Sequence, residues 1–165
     1  MGRRQGALLI LSALWLGWAV WLWTVFPAWA ARIDSYVQRY LQVEAPVALK
    51  ADASGTLQTF TAEDLSVGKR LFESNCINCH VGGATLPNPR VSLSLADLQG
   101  ATPPRDNIAA LMAFSRAPRS YDGREENYTC RILPPETVSD QELAQLAAFV
   151  LRAAQVAPGW GSKDF

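Results

Sequence analysis

Apolar residues run almost unbroken from Ala7 to Phe26, then fall into short periodic stretches separated by Gly, Pro and polar clusters. The first run follows Arg3 and Arg4 and ends in Pro27-Ala28-Trp29-Ala30. Positive residues, an apolar segment and an A-x-A site in that order predict a secretory leader over residues 1–30. The run also approaches the roughly 20 residues that span a bilayer, so an uncleaved anchor is the alternative, and either implies export.

Beyond the leader the period changes. Ile33, Val37, Tyr40 and Leu41, with Tyr36 alongside, fall at helical spacing behind Asp34 and Ser35, which predicts a short amphipathic helix from Ile33 to Val43. Such a helix packs, docks or merely spaces the domain as a solvated tail. Val47 and Leu49 then alternate with smaller residues, Ser54-Gly55 offers a turn and Leu57 to Phe60 returns, the pattern of a small β-hairpin. Residues 31–60 thus read as a helix-and-hairpin extension to a main domain over 61–165.

That domain is helical by pattern. Thr61 to Asp64 is a capping-box start, and Leu65, Gly68, Leu71, Phe72 and Cys76 follow on one stripe. A mid-helix glycine costs about 1 kcal/mol relative to alanine, so Gly68 implies a second helix passing close. Ser94 with Asp97 caps a short helix that Gly100 ends. Pro103-Pro104-Arg105-Asp106 introduces another, carrying Ile108, Leu111 and Met112 and closed by Pro118. Ser139 with Glu142 opens a last helix whose stripe, Leu143, Leu146, Ala147, Val150 and Leu151, is the expected partner of Gly68. Tyr121-Asp122-Gly123 is turn chemistry, and from there through Cys130 to Pro134-Pro135 no period is visible, which reads as a loop.

Composition narrows this. At 165 residues, 49% hydrophobic, the chain is one domain's worth with enough apolar material to wrap a large flat cofactor. The formal charge is zero, and loss of the leader with Arg3 and Arg4 leaves acids in excess, which excludes nucleic acid as a partner.

The chemistry concentrates in Cys76-Ile77-Asn78-Cys79-His80, the one C-x-x-C-H and the place of the single histidine. Thiols three residues apart on a helical turn share a face and can add across the two vinyl groups of one porphyrin, with His80 as the proximal ligand. The cofactor expected is one haem c, covalently bound through Cys76 and Cys79. Zinc held by Cys76, Cys79, His80 and Cys130 is the rival. It suits the spacing poorly, because consecutive helical side chains point about 100° apart. After His80, Gly82-Gly83 and Pro87-Asn88-Pro89 make an ordered loop in which Thr85 and Asn88 are candidates to bond haem propionates.

A more specific likeness follows from Gly68-Lys69-Arg70-Leu71-Phe72, Cys79-His80-Val81-Gly82-Gly83, Asn88-Pro89, the run from Ala101 through Thr102-Pro103-Pro104-Arg105-Asp106-Asn107 to Ile108, and Tyr121-Asp122-Gly123. With the early hairpin and the tail Gly159-Trp160-Gly161-Ser162-Lys163, most of the chain after the leader resembles the extrinsic cytochrome c-550 (PsbV) family of photosystem II. The resemblance implies a mainly α, monohaem c-type cytochrome fold with a small N-terminal β-hairpin. It also implies a low-potential, six-coordinate haem and a peripheral place on the lumenal side of the thylakoid membrane, or in the periplasm where thylakoids are lacking. Photosystem II lumenal subunits or a soluble redox partner are the partners it suggests.

The family's second haem histidine follows the Tyr-Asp-Gly turn, where this chain has none between Arg124 and Arg131. It has Cys130 there, and in this respect, and in its Ile33 to Val43 helix, it is similar to the cytochrome c-550-like branch. Cys130 is the favoured distal ligand, with Met112, Tyr128 and water as alternatives. A bound thiolate would stabilise Fe(III), lower the potential and close the iron to oxygen or peroxide, which argues against an enzyme. Electron transfer and a structural photosystem role are the two functions expected. A thiolate-haem redox or gas sensor is a third class.

Overall fold

A computed structural model describes residues 33–162, so the leader expected over 1–30 lies outside the described residues. Helix α1 is Ser35–Tyr40, shorter than the Ile33 to Val43 stretch its periodicity predicts. Asp34 starts it by accepting from the Tyr36 N–H at 2.7 Å, and Gln42 stops it by turning to a φ of 52°. Val37 and Leu41 are both 0% exposed, so this helix is a core element and not a solvated tail.

Strands β1 (Val47–Lys50) and β2 (Leu57–Phe60) pair antiparallel with Val47 opposite Phe60, joined by a turn at Gly55. The hairpin forms where alternation predicts it. Leu49 and Phe60 point into the same core as Val37, and the Ala109 N–H donates to the Ala51 carbonyl, so the described residues 33–60 share the core of the rest.

Helix α2 (Ala62–Asn75) opens on the expected capping box, with reciprocal bonds between Thr61 and Asp64. Helix α3 is Leu95–Gly100, capped by Ser94, and α4 is Ile108–Arg116, capped by Asn107. Helix α5 (Asp140–Val156) begins with the Ser139 and Glu142 capping box. Its buried stripe includes Leu143, Ala147, Val150 and Leu151, which the helical period predicts.

Helices α2 and α5 cross at Gly68 as expected. A Cβ there would overlap the Gln145 carbonyl and lie 2.9 Å from Phe149 Cβ, so only a glycine admits this approach. Beside the crossing, Gln145 Nε2 donates to Asp64 Oδ1 at 2.8 Å. Phe149, Phe72 and Trp160 then stack in a cluster with ring centroids 5.4 to 5.7 Å apart. Among the described residues no helix is long and apolar enough to cross a membrane.

Candidate haem site

Helix α2 delivers the chain to Cys76 and stops there. The helical turn expected through the two cysteines is not what forms: α2 ends at Asn75, and Cys76 takes a φ of −121°. Asn75 itself contributes, since its side-chain amide donates to the Leu71 carbonyl at 2.9 Å and competes with continuation of the helix. Cys76 to Cys79 become a separate turn, closed by the Cys79 and His80 N–H groups, which both donate to the Cys76 carbonyl at 3.1 and 2.9 Å. Both thiols and the imidazole still reach one cavity.

A 3₁₀ turn, Val81–Gly83, follows His80. Gly83 has a φ of 80°, and a Cβ on it would run into the Trp160 indole, which in turn donates to the Leu93 carbonyl at 2.9 Å. The tail therefore clamps the segment that carries His80. This role of Trp160 has no local signal, because its partners Leu93 and Gly83 lie far away in sequence.

His80 Nδ1 lies 2.9 Å from Thr85 Oγ1. With Nδ1–H donating, Nε2 keeps its lone pair for a metal, and burial lowers the pKa of the ring so that it stays neutral. Thr85 is thereby a partner of the imidazole, and its own O–H is left to donate elsewhere. Asn88 is exposed and lines the same cavity, as does Thr85.

The other side of the cavity comes from the loop after Tyr121. Cys130 lines the cavity, with its N–H donating to Asn127 Oδ1 at 3.2 Å, and Asn127 is itself tied to the Pro118 carbonyl at 2.9 Å. Met112 does not line it and packs against the hydrophobic core instead. Tyr128 is 90% exposed and faces an outer groove between Arg116 and Ile132. Neither of these two ligand candidates is placed to reach what His80 reaches.

The electrostatics separate the three thiols. Burial pushes Cys76 up to about 12, with Cys130 and Cys79 adding to the shift and Arg131 opposing it. Burial also raises Cys130, Cys79 raises it further, and Arg105 pulls it back down. No disulfide joins any of the three cysteines. Among the described residues no group of three or more Cys, His, Asp or Glu side chains is placed to hold a metal ion directly, so the zinc arrangement does not form.

A porphyrin fits this donor set better. The lining is largely apolar, with Phe72, Leu98, Leu111, Phe114, Leu146 and Val150 between the cysteine pair and the Cys130 loop. An apolar slot lined by a cysteine pair, an imidazole and a third sulfur offers what a covalently held, axially ligated haem needs.

The comparisons with known proteins point the same way. Residues 40–165 match the cytochrome c-550 domain family. The cytochrome c-550-like protein of Thermosynechococcus vestitus is 57% identical over all of this chain and 91% of its own length. The photosystem II extrinsic protein V of Gloeobacter violaceus is 57% identical over 81% of this chain and 72% of its own length. Among solved structures, the PsbV2 cytochrome of Thermosynechococcus elongatus aligns with a TM-score of 0.77 and 61% identity, covering 78% of this chain and 98% of that one. Cytochrome c549 aligns with a TM-score of 0.63 and 31% identity, over 69% of this chain and 95% of its own.

Proposed function

Because the chain belongs to the cytochrome c-550 family and carries one covalently bound haem c in a c-type cytochrome fold, we propose that it is a low-potential, thiolate-ligated monohaem cytochrome of the photosystem II type, outside the cytoplasm and peripheral to the lumenal face of the membrane. Its work is one-electron transfer, the support of photosystem II, or both. The name of the Gloeobacter relative supports the photosystem association. Photosystem II lumenal subunits or a soluble redox protein are its partners, and it is not an enzyme.

Bound haem would supply a one-electron Fe(III)/Fe(II) couple. Cys76 and Cys79 would hold it covalently. His80 would bind the iron through Nε2 while its Nδ1 faces the Thr85 hydroxyl. Cys130 would supply the second axial bond to iron, and its negative charge would favour the ferric state. Thr85 and Asn88, both lining the cavity, would bond the propionates. The apolar lining keeps water from the donors and sharpens their electrostatic effect.

One observation carries this reading: of Cys130, Met112 and Tyr128, only Cys130 lines the cavity that His80 lines. Acid acetone tests the covalent attachment. Haem stays with the protein if Cys76 and Cys79 hold it, and haem that extracts freely contradicts the reading. Salt washing of photosystem II membranes tests the partner. A photosystem subunit co-purifies in low salt and is released in high salt, whereas a soluble carrier is absent from the membranes before any wash and exchanges electrons rapidly with a soluble protein.

A further inference from the structure

Arg105 is the half-buried cation whose place in the fold exceeds any need of packing. Its backbone N–H donates to the Leu98 carbonyl at 2.8 Å, which fixes the residue at the end of α3. Its guanidinium lies over the Phe114 ring at 4.2 Å from the centroid, which fixes the plane of the fork. From that seat one nitrogen, Nη2, donates to two successive carbonyls, Arg119 at 3.1 Å and Ser120 at 2.5 Å. Those carbonyls open the loop that carries Cys130, and Arg105 and Cys130 line the same cavity.

The grip is transmitted along the loop. Arg119 bridges back to Glu126, the Asn127 N–H is held by the Pro118 carbonyl, and Asn127 Oδ1 accepts from the Cys130 N–H. Outside these, the Thr102 N–H donates to the Tyr121 carbonyl at 2.8 Å, and the Asp122 and Asn127 side chains accept bonds from within the segment between Ser120 and Thr129. Arg131 lines the cavity as well.

We infer that Arg105 is a positioning residue for the Cys130 sulfur, holding the loop that carries it through the Arg119 and Ser120 carbonyls. This deepens the reading of Cys130 as the second axial donor and rests on it. Loss of Arg105 frees the Arg119 and Ser120 carbonyls and loosens the loop, which makes the sulfur easier to displace by an external ligand.

The test is imidazole titration of the ferric holoprotein, followed by its absorption spectrum. Losing one charge-assisted hydrogen bond is worth about 1.4 kcal/mol or more, so Arg105→Gln is expected to bind imidazole about tenfold more tightly than the parent. Arg105→Lys keeps the charge with a less suitable donor and is expected to show about a threefold change. In a Cys130→Ser background the effect of Arg105→Gln should fall below about twofold, because the sulfur it positions is gone. A merely structural arginine would change imidazole binding equally in both backgrounds.

An unchanged affinity in Arg105→Gln, or an equal change with and without Cys130, overturns the inference. If Arg105→Gln does not take up haem, Arg105→Lys carries the test, and an affinity equal to the parent's overturns it. The underlying reading fails separately: it falls if Cys130→Ser alone leaves the ferric spectrum unchanged.

Discussion

Around Cys76 to His80 the cavity is walled by residues of α2 and α5, with Trp160 packed behind the His80 segment, whereas around Cys130 it is walled by an irregular loop held through arginine side chains. The first region rests on buried apolar contact. Phe72, Phe149 and Trp160 interlock beneath it, and the helices behind it approach as closely as a glycine allows. The second rests on hydrogen bonds from exposed or half-exposed cations. Arg105 holds the Arg119 and Ser120 carbonyls, while Arg116 holds the Leu133 and Val138 carbonyls and pairs with Asp140. Buried packing is costly to open and side-chain bonds near water are less so. His80 is therefore built into the folding unit, and Cys130 is built onto it.

The sharpest way to break this contrast is at the crossing that supports the first region. Gly68→Leu has no room against the Gln145 backbone, and overpacking of this kind costs about 3 kcal/mol or more. Little folded, haem-loaded protein is expected, as measured by haem absorbance per polypeptide. Normal loading would show that α2 and α5 do not meet there. Trp160→Ala should come next, costing about 3–5 kcal/mol from a lost aromatic and its bond to Leu93. Arg116→Ala, made for comparison on the other side, should cost less in urea unfolding, about 1–2 kcal/mol. If the two variants lose equal stability, the two walls are not built differently.

Acid should reach the first region through its carboxylates. Burial opposes ionisation of Asp64, yet bonds from the Thr61 N–H, Gln145 Nε2 and the Thr61 hydroxyl outweigh it and hold the carboxyl below its usual 3.8. Burial also opposes ionisation of Asp34, and Lys69 and the Tyr36 N–H outweigh it in turn. A depressed folded-state pKa means that the unfolded chain takes up the proton first. The stability these groups supply is complete above the unfolded value near 4 and is lost as pH falls through the folded one. Asp64→Asn should flatten that acid limb by at most about 1.4 kcal/mol per pH unit, and an unchanged slope would remove Asp64 from the account.

How much of this was legible in the chain depends on the range over which each signal acts. Helix starts were readable because cap and partner sit three residues apart, as in Thr61 with Asp64, Ser94 with Asp97 and Ser139 with Glu142. The crossing was readable because Gly68 is costly in a helix without a reason. The end of α2 was misplaced, since the bond from Asn75 to Leu71 competes with a period that otherwise runs on to Cys76. The start of α4 was placed only as following Asp106, and its cap is Asn107. What could not be read were the long-range ties, Trp160 to Leu93 and Arg105 to Ser120, because nothing in either partner names the other. The contact between His80 and Thr85 spans only five residues, yet the sequence suggested Thr85 only as a propionate ligand, and the geometry adds the imidazole as its neighbour.

The thiolate itself is tested most directly by the reduction potential and ferric spin-resonance spectrum of Cys130→Ser beside the parent. The parent should be low-spin with the signature of axial sulfur. The serine variant should turn high-spin, and its potential should rise by at least the 59 mV or so that a tenfold loss of ferric stabilisation represents in a one-electron couple. An unchanged spin state and potential in Cys130→Ser would contradict axial ligation by this cysteine.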